Sequence, residues 1–91
     1  MKEQFKAYLI DQGYSVVTPS GKPSTVYDYQ KRIDKVCEWE HTTWVGLATS
    51  IEKFVALYDV GGLKEDYGNK SHKAVINALK RFEEFVMSNK H

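Results

Sequence analysis

The basic residues near the C-terminal end of the chain are spaced so that they can share one helix face. Residues 70–81 include four basic residues and no acidic residue. At about 100° per residue, Lys73, Lys80 and Arg81 fall opposite an apolar stripe, and Lys70 lies just before the predicted helix start. Lysine and arginine on one face can neutralise successive phosphates of duplex DNA. The spacing therefore predicts a basic stripe suited to a nucleic-acid backbone.

Two polar residues extend this stripe. Asn77 is predicted on the same face, where its amide can read a base edge in a groove. Ser71 is predicted to cap the helix, so its hydroxyl and the free amides of the first turn can hold a phosphate oxygen. The competing interpretation is a solvated helix face, which must be polar whether or not it binds anything.

A second outward row is predicted on the helix that begins near residue 25. Its members are Thr25, Tyr27, Lys31 and Lys35. Asp28 and Glu38 interrupt the row and weaken its positive potential. If this helix and the last helix lie side by side, the two rows form one continuous surface large enough to contact a DNA groove.

Other reactive residue types do not form a pattern that supports catalysis or cofactor binding. Cys37 is the only cysteine, so no disulfide can form within the chain, and its place on a predicted apolar face indicates a core residue with a raised pKa. The three histidines lack metal-ligand spacing, and His72 has no acidic partner beside it. Gly61, Gly62 and Lys64 lack the glycine spacing of a phosphate-binding loop. We therefore expect no cofactor, no metal and no small-molecule substrate.

The composition is that of a small globular protein. With 91 residues, of which 42% are hydrophobic and 27% charged, the chain is expected to form one domain over residues 1–91. The net charge of +1 hides an uneven distribution, since residues 38–66 contain six acids against two lysines. No apolar run approaches the roughly 20 residues of a membrane span, and no signal peptide is recognisable. We expect a cytoplasmic protein without a membrane partner.

Four helical regions are predicted to position these residues. The first covers residues 2–12, the second about 25–40 after an N-cap at Ser24, and the last about 72–88. The third follows Thr42 or Thr43, is expected to kink near residues 49–50, and ends at Gly61. Residues 14–23 and 62–70 are predicted loops.

Because no stretch alternates apolar and polar residues, the expected fold class is all-α, a compact bundle of four to five helices. Val26, Tyr29, Ile33, Val36 and Cys37 are expected to face inward from the second helix, and Val75, Ala78, Leu79, Phe82, Phe85 and Val86 from the last. Trp44 begins an apolar stripe and is expected in the core. Trp39 is the better candidate for an exposed aromatic residue.

The order of these features resembles the N-terminal core-binding domain of the tyrosine recombinases, the phage-integrase family. Residues 5–9 (Phe-Lys-Ala-Tyr-Leu) are similar to the opening of that domain, residues 24–29 (Ser-Thr-Val-Tyr-Asp-Tyr) to its second helix, and residues 71–86 to its closing helix. The resemblance covers nearly the whole chain. It implies a SAM-like bundle that forms one half of a clamp around DNA, with the second and last helices facing the duplex.

The chain also departs from that family pattern. The loop at residues 14–23 is longer than usual, and residues 61–70 contain more acids and glycines than a DNA-facing loop favours. The chain ends at His91, where the family would begin a linker to its catalytic domain. We therefore expect no enzyme activity, because a nucleophilic tyrosine needs an assembled cluster of basic side chains around the phosphate.

Two functions remain open from the sequence. The first is a DNA-binding module whose partners are duplex DNA and either a recombinase catalytic domain or other copies of itself. Its phosphate contacts are predicted to be Lys31, Lys35, Lys70, Lys73, Lys80 and Arg81. If about five phosphates are neutralised, log affinity should fall against log salt with a slope near −4 to −5. The alternative is a helical protein-interaction domain that uses the acidic residues 38–66 with Trp39, or an exposed apolar patch.

Overall fold

Six helices make up the described part of the chain. A computed structural model describes residues 1–14 and 25–88, apart from the side chains of Ser71 and His72. The helices are α1 (Lys2–Asp11), α2 (Thr25–Glu40), α3 (Trp44–Thr49), α4 (Ile51–Tyr58), α5 (Glu65–Gly68) and α6 (Lys70–Ser88). No strand occurs within these ranges, and the all-α prediction is confirmed. The predicted loop over residues 15–23 and the predicted cap at Ser24 lie outside the described residues.

The third predicted helical region is divided into two helices at the expected place. α3 ends at Thr49 and α4 begins at Ile51, with Ser50 between them in a non-helical conformation. Thr43 caps α3, since its hydroxyl accepts a hydrogen bond from the Gly46 backbone N–H at 3.1 Å. This bond satisfies one of the free donors that every helix start carries.

The segment predicted as a loop over residues 62–70 contains a helix instead. α5 is a single turn, and it places Gly68 in a buried position against the backbone carbonyl of Tyr58 at the end of α4. A helix this short is not stable by propensity alone, so packing against α4 and α6 maintains it. The loop prediction was wrong because that packing is not visible in the local sequence.

The core forms around α6, which packs against each of the other five described helices. The ring of Phe82 on α6 lies 5.2 Å from Phe5 of α1 and 5.3 Å from Trp44 of α3, both in edge-to-face arrangements. Trp44, predicted in the core, is half-buried and packs against it. The predicted inward residues that are buried are Val26, Ile33, Val36, Cys37, Val75, Ala78, Leu79, Phe82, Phe85 and Val86.

Polar contacts join α1, α2 and α3 beside this core. Asp34 on α2 accepts a hydrogen bond from the indole N–H of Trp44 at 2.8 Å and forms an ion pair with Lys2 at 2.7 Å. Gln30 is buried on the same side of α2, and its amide donates to the Lys2 carbonyl at 3.3 Å. A buried amide is tolerated only with such a partner. These contacts fix the N-terminal helix against α2.

Gly68 provides a test of the packing between α5 and α4. An alanine Cβ at this position would collide with the Tyr58 carbonyl, which is backbone and cannot rotate away. We expect Gly68→Ala to lower the free energy of unfolding by about 1–3 kcal/mol, the usual cost of overpacking, measured by urea denaturation. The control Lys53→Ala changes an exposed residue on α4 without an ion pair in the described structure and should stay within about 0.5 kcal/mol of the wild type. An unchanged stability in Gly68→Ala would contradict the close approach of the two helices.

Candidate nucleic-acid interface

The outward side of α6 has the predicted basic stripe. Lys70, Lys73 and Asn77 are exposed, while Lys80 and Arg81 are half-buried at its two edges. All five lie away from the apolar side of the helix that packs on its neighbours. The side chains predicted to share one face are therefore brought together along about three turns of helix.

The start of this helix differs from the prediction. α6 begins at Lys70, and the Lys73 backbone N–H donates to the Asn69 carbonyl at 3.0 Å, so Ser71 lies within the first turn rather than at the cap. The Ser71 side chain lies outside the described residues. Lys73 has a φ of 68°, a left-handed conformation that is costly for a residue with a side chain. The backbone thus departs from regular helix where the stripe begins.

Two of the four cations on α6 already face a carboxylate. The Lys80 ammonium lies 3.4 Å from Asp59, and the Arg81 guanidinium lies 3.2 Å from Glu84. Lys70 and Lys73 form no ion pair with any described side chain. Partly exposed pairs of this kind contribute little free energy and are screened by salt, so Lys80 and Arg81 can exchange their partners for phosphate. Asp59 and Glu84 nevertheless reduce the positive potential of the stripe.

Asp59 is held in its charged form beside the stripe. The Val60 backbone N–H donates to its carboxylate at 2.8 Å and is the main reason that its pKa is lowered. Burial opposes this shift, and the charges of Lys80 and Lys73 add to it. Asp59 is therefore ionised at neutral pH and competes with any phosphate for Lys80.

Helices α2 and α6 lie side by side and run in opposite directions. The Lys70 ammonium, at the start of α6, is 5.4 Å from the ring centroid of Trp39 near the end of α2. Arg81, further along α6, interacts with Tyr29 near the start of α2. Burial acts to lower the pKa of Arg81, but its hydrogen bond with Tyr14 and the charge of Glu84 outweigh this and raise it. These contacts hold the two helices next to each other.

The members of the predicted row on α2 differ in what they contact. All four members are exposed: Thr25, Tyr27, Lys31 and Lys35. Tyr27 turns toward α1, where the Lys6 ammonium lies 5.4 Å from its ring centroid. Lys35 is 3.7 Å from Glu38, whereas Lys31 has no ion pair in the described part of the chain. Lys31 is thus the α2 cation whose charge is least offset.

An aromatic cleft that the sequence pattern did not reveal lies beside the start of α6. We define it by Trp39, Tyr58, Lys64 and Tyr67, which line a cavity of about 140 Å³. The Trp39 ring is nearly parallel to Tyr58, at 11° with centroids 6.3 Å apart, and its centroid is 5.1 Å from that of Tyr67. Trp39, predicted as an exposed aromatic, is half-buried as one wall. The three rings come from α2, α4 and α5.

Glu40 closes the polar end of the aromatic cleft. The Tyr58 hydroxyl donates to a Glu40 carboxylate oxygen at 2.7 Å, and the Lys64 ammonium donates to the same oxygen. Burial acts to raise the pKa of Glu40, but the hydrogen bonds from Lys64 and Tyr58 outweigh it and lower the pKa. Burial, together with the bond to Glu40, raises the pKa of Tyr58. At neutral pH the acid is ionised and the phenol is protonated.

Lys70 belongs to both the basic stripe and the edge of the cleft. Its ammonium is 5.0 Å from the Tyr67 ring centroid as well as 5.4 Å from that of Trp39. Together with Asp66 and Tyr67 it also lines a shallow neighbouring hollow. Cation–π attraction of about 0.5–1 kcal/mol holds an exposed ammonium in such a position. A positive charge and aromatic surfaces are thereby presented together.

Comparisons with known proteins leave the chain without an assigned family. No family model, curated protein or solved structure matches it. Among the described side chains, no group of three or more His, Cys, Asp or Glu residues is placed to hold a metal ion. Over residues 1–14 and 25–88, no helix is both long enough and apolar enough to cross a membrane. The resemblance to recombinase core-binding domains therefore rests on the sequence pattern alone.

Glu40→Gln tests the polar end of the cleft. We expect it to lower the free energy of unfolding at pH 7 by about 1–3 kcal/mol, because hydrogen bonds to a charged acceptor are weakened, as measured by urea denaturation. The pKa of Glu40 is lower in the folded than in the unfolded chain, so its contribution is complete above the unfolded pKa and is lost as pH falls through the folded pKa. The difference between variant and wild type should therefore shrink in acid.

The matched control for this variant is Glu38→Gln, which removes the exposed pair with Lys35. It should change stability by less than about 0.5 kcal/mol. Equal effects of the two substitutions, or a Glu40→Gln effect that grows in acid, would contradict the assigned role of Glu40.

Cys37 provides an independent probe of α2. Its side chain is buried on the apolar face, and burial, with a smaller effect of Asp34, raises the pKa of the thiol to about 11. Since the thiolate is the reactive form, a disulfide reagent at pH 8 should modify Cys37 only after the protein unfolds. The measurement is the modification rate at increasing urea, and rapid reaction of the folded protein would contradict the burial of this residue.

Proposed function

We propose that this chain is a duplex DNA-binding module that grips the phosphate backbone with the outward side of α6 and the adjoining edge of α2. The observation that supports the proposal most directly is the row of Lys70, Lys73, Asn77, Lys80 and Arg81 on one side of a single helix. Residues 70–81 contain no acidic residue, and the carboxylates that face Lys80 and Arg81 come from outside this range. The ammonium groups of Lys70 and Lys73, which form no ion pair with a described side chain, are the first contacts with phosphate.

The other residues of the stripe have distinct parts in the proposed contact. Lys80 and Arg81 exchange Asp59 and Glu84 for phosphate oxygens, and the guanidinium of Arg81 can bind two oxygens at once. Asn77 lies between the cations, and its amide is proposed to reach a base edge. The Ser71 hydroxyl is proposed to contact a phosphate at the start of the helix.

The α2 row extends the same surface. Lys31 and Lys35 are proposed to contact phosphates of the neighbouring strand, with Lys31 the stronger contact because no described acid faces it. Thr25 and Tyr27 would donate hydroxyl hydrogen bonds to the backbone, contacts that fix orientation without reading sequence.

The salt dependence of binding distinguishes two modes of contact. If only Lys31, Lys70 and Lys73 engage phosphate, log affinity should fall against log salt with a slope of about −3. If Lys35, Lys80 and Arg81 also exchange their carboxylate partners, the slope should approach about −5. In either mode the net charge of +1 is no obstacle, because the local field of the stripe governs the contact.

The proposal agrees with the resemblance to recombinase core-binding domains, in which the second and last helices face DNA. It assigns the chain the part of one clamp half and gives it no catalytic step. Its further partners would be a recombinase catalytic domain or other copies of the chain.

A second candidate function, protein interaction, is favoured by one observation. The turn between α4 and α5 exposes two apolar side chains, Val60 at 74% and Leu63 at 95% of their full areas. Adjacent exposed apolar residues are typical of contact sites for another protein. This candidate requires an association that tolerates salt and is lost in Leu63→Ser. Sedimentation of the wild-type protein and of this variant at low and high salt would measure it.

Fluorescence anisotropy with a labelled mixed-sequence duplex of about 25 base pairs tests the DNA proposal across about 50–200 mM salt. Lys73→Glu should weaken binding by about tenfold or more at low salt, and adding Lys80→Glu should abolish it. The matched control is Lys53→Glu on α4, another exposed lysine without an ion pair in the described structure, and it should leave the affinity within about twofold.

Asp59→Asn is a second test, in which DNA affinity is expected to rise rather than fall. Asparagine keeps an oxygen for the Val60 N–H and removes the charge that competes for Lys80, so DNA affinity should rise. The absence of duplex binding at low salt, or equal losses in Lys73→Glu and Lys53→Glu, would overturn the proposal.

A further inference from the structure

The aromatic cleft leaves part of its ring surface open to solvent. Tyr58 is buried in the core and Trp39 is half-buried against it, whereas Tyr67 on α5 is exposed. Tyr67 remains 43% exposed although its ring meets Trp39. Large aromatic side chains left open to solvent around a cavity are typical of a binding site.

The residues around the cleft favour a ligand that has a flat ring and a negatively charged group. Aromatic walls offer stacking surface to any nucleobase, a contact that is tolerant of base identity. Lys64 lines the cavity, but its charge is offset by Glu40. Lys70 has no ion pair with a described residue and lies within 5.4 Å of two ring centroids, so it is the cation available to a phosphate.

A cationic ligand fits the same cleft poorly. Ring faces attract cations, yet the ammonium of Lys64 is already 5.8 Å from the Tyr58 centroid, and that of Lys70 is beside Tyr67 and Trp39. A further cation would compete for ring faces that these two ammonium groups already occupy, and it would meet the positive charge of Lys70, which no described acid pairs with. A base with its phosphate gains from both the rings and the ammonium group of Lys70.

The position of Lys70 connects this cleft to the basic stripe on α6. A strand whose phosphate contacts Lys70 would carry its adjoining base past Tyr67 and Trp39. A paired base inside a duplex cannot reach such a wall, whereas a base at a single-stranded extension can.

We propose that the aromatic cleft binds one unpaired nucleotide, stacking its base on the rings of Tyr67 and Trp39 and holding its phosphate at Lys70, while the fully buried Tyr58 forms the floor of the cleft. The inference rests on the proposed function only in that the duplex held on α6 brings the strand to the cleft. The site would therefore select DNA with a single-stranded extension over a blunt duplex.

Three DNA probes test this site: a blunt duplex of about 25 base pairs, the same duplex with a three-thymine extension, and the same duplex with a three-residue abasic extension. The abasic extension retains the phosphates and lacks the bases, so any difference reports stacking. We expect the thymine extension to bind about 5- to 100-fold more tightly than the abasic one, which corresponds to one stacked base. Tyr67→Ala should remove this gain, and the ratio of thymine to abasic affinity within the variant reports the loss independently of any change in blunt-duplex affinity caused by moving Lys70.

Tryptophan fluorescence supplies a second readout, because the chain has two tryptophans and only Trp39 lies in the cleft. In Trp44→Phe, the thymine extension should quench the remaining Trp39, and in Trp39→Phe the remaining Trp44 should not respond. If a tryptophan variant does not fold, the affinity difference between thymine and abasic extensions in the wild-type protein still decides the matter.

The outcomes separate this inference from the DNA proposal. Blunt-duplex binding with no gain from thymine, or a gain that survives Tyr67→Ala, would overturn the nucleotide site and leave the duplex function standing. Quenching of Trp39 by a thymine oligonucleotide without any blunt-duplex binding would support the site and overturn the duplex function. Quenching of Trp39 by tetramethylammonium, but by no DNA probe, would overturn the inference in favour of a cation site.

Discussion

The burial of one side of α6 is the constraint on which the rest of the structure depends. Every other described helix packs against this side, and Phe82 at its middle meets rings from both α1 and α3. Because the helix period is fixed, the burial of Leu79 and Phe82 also fixes where Asn77, Lys80 and Arg81 must lie. The candidate interface is therefore a consequence of core packing and needs no loop to arrange it.

A half-buried carboxylate joins the helices at the other end of the bundle. Glu40, at the end of α2, accepts hydrogen bonds from Tyr58 at the end of α4 and from Lys64 before α5. The side chain of Glu40 is only 13% exposed, so the pair with Lys64 is weakly screened by solvent. One acid thus holds together the three chain segments that build the aromatic cleft, and the cleft shares Lys70 with the stripe.

Local patterns in the sequence were sufficient to predict the long helices and not the contacts between elements. α2 has the predicted bounds, since its apolar period is regular from Val26 to Cys37, and the division near Thr49–Ser50 follows the expected break in pattern. α5 was missed because a one-turn helix depends on Gly68 meeting the Tyr58 carbonyl.

The same distinction applies to the candidate interface: local sequence patterns predict some of its features, and contacts between distant residues determine the others. The helix period predicted which α6 side chains share a face, and all of the α2 row is exposed as expected. The pairing of Lys80 with Asp59 and the turn of Tyr27 toward Lys6 join different elements, so no periodicity could reveal them. Three of the six proposed contact cations therefore carry a partly offset charge, and their attraction for phosphate is moderate. A surface of this kind binds firmly only when a second DNA contact is linked to it, because linkage raises the effective concentration of each contact for the same duplex.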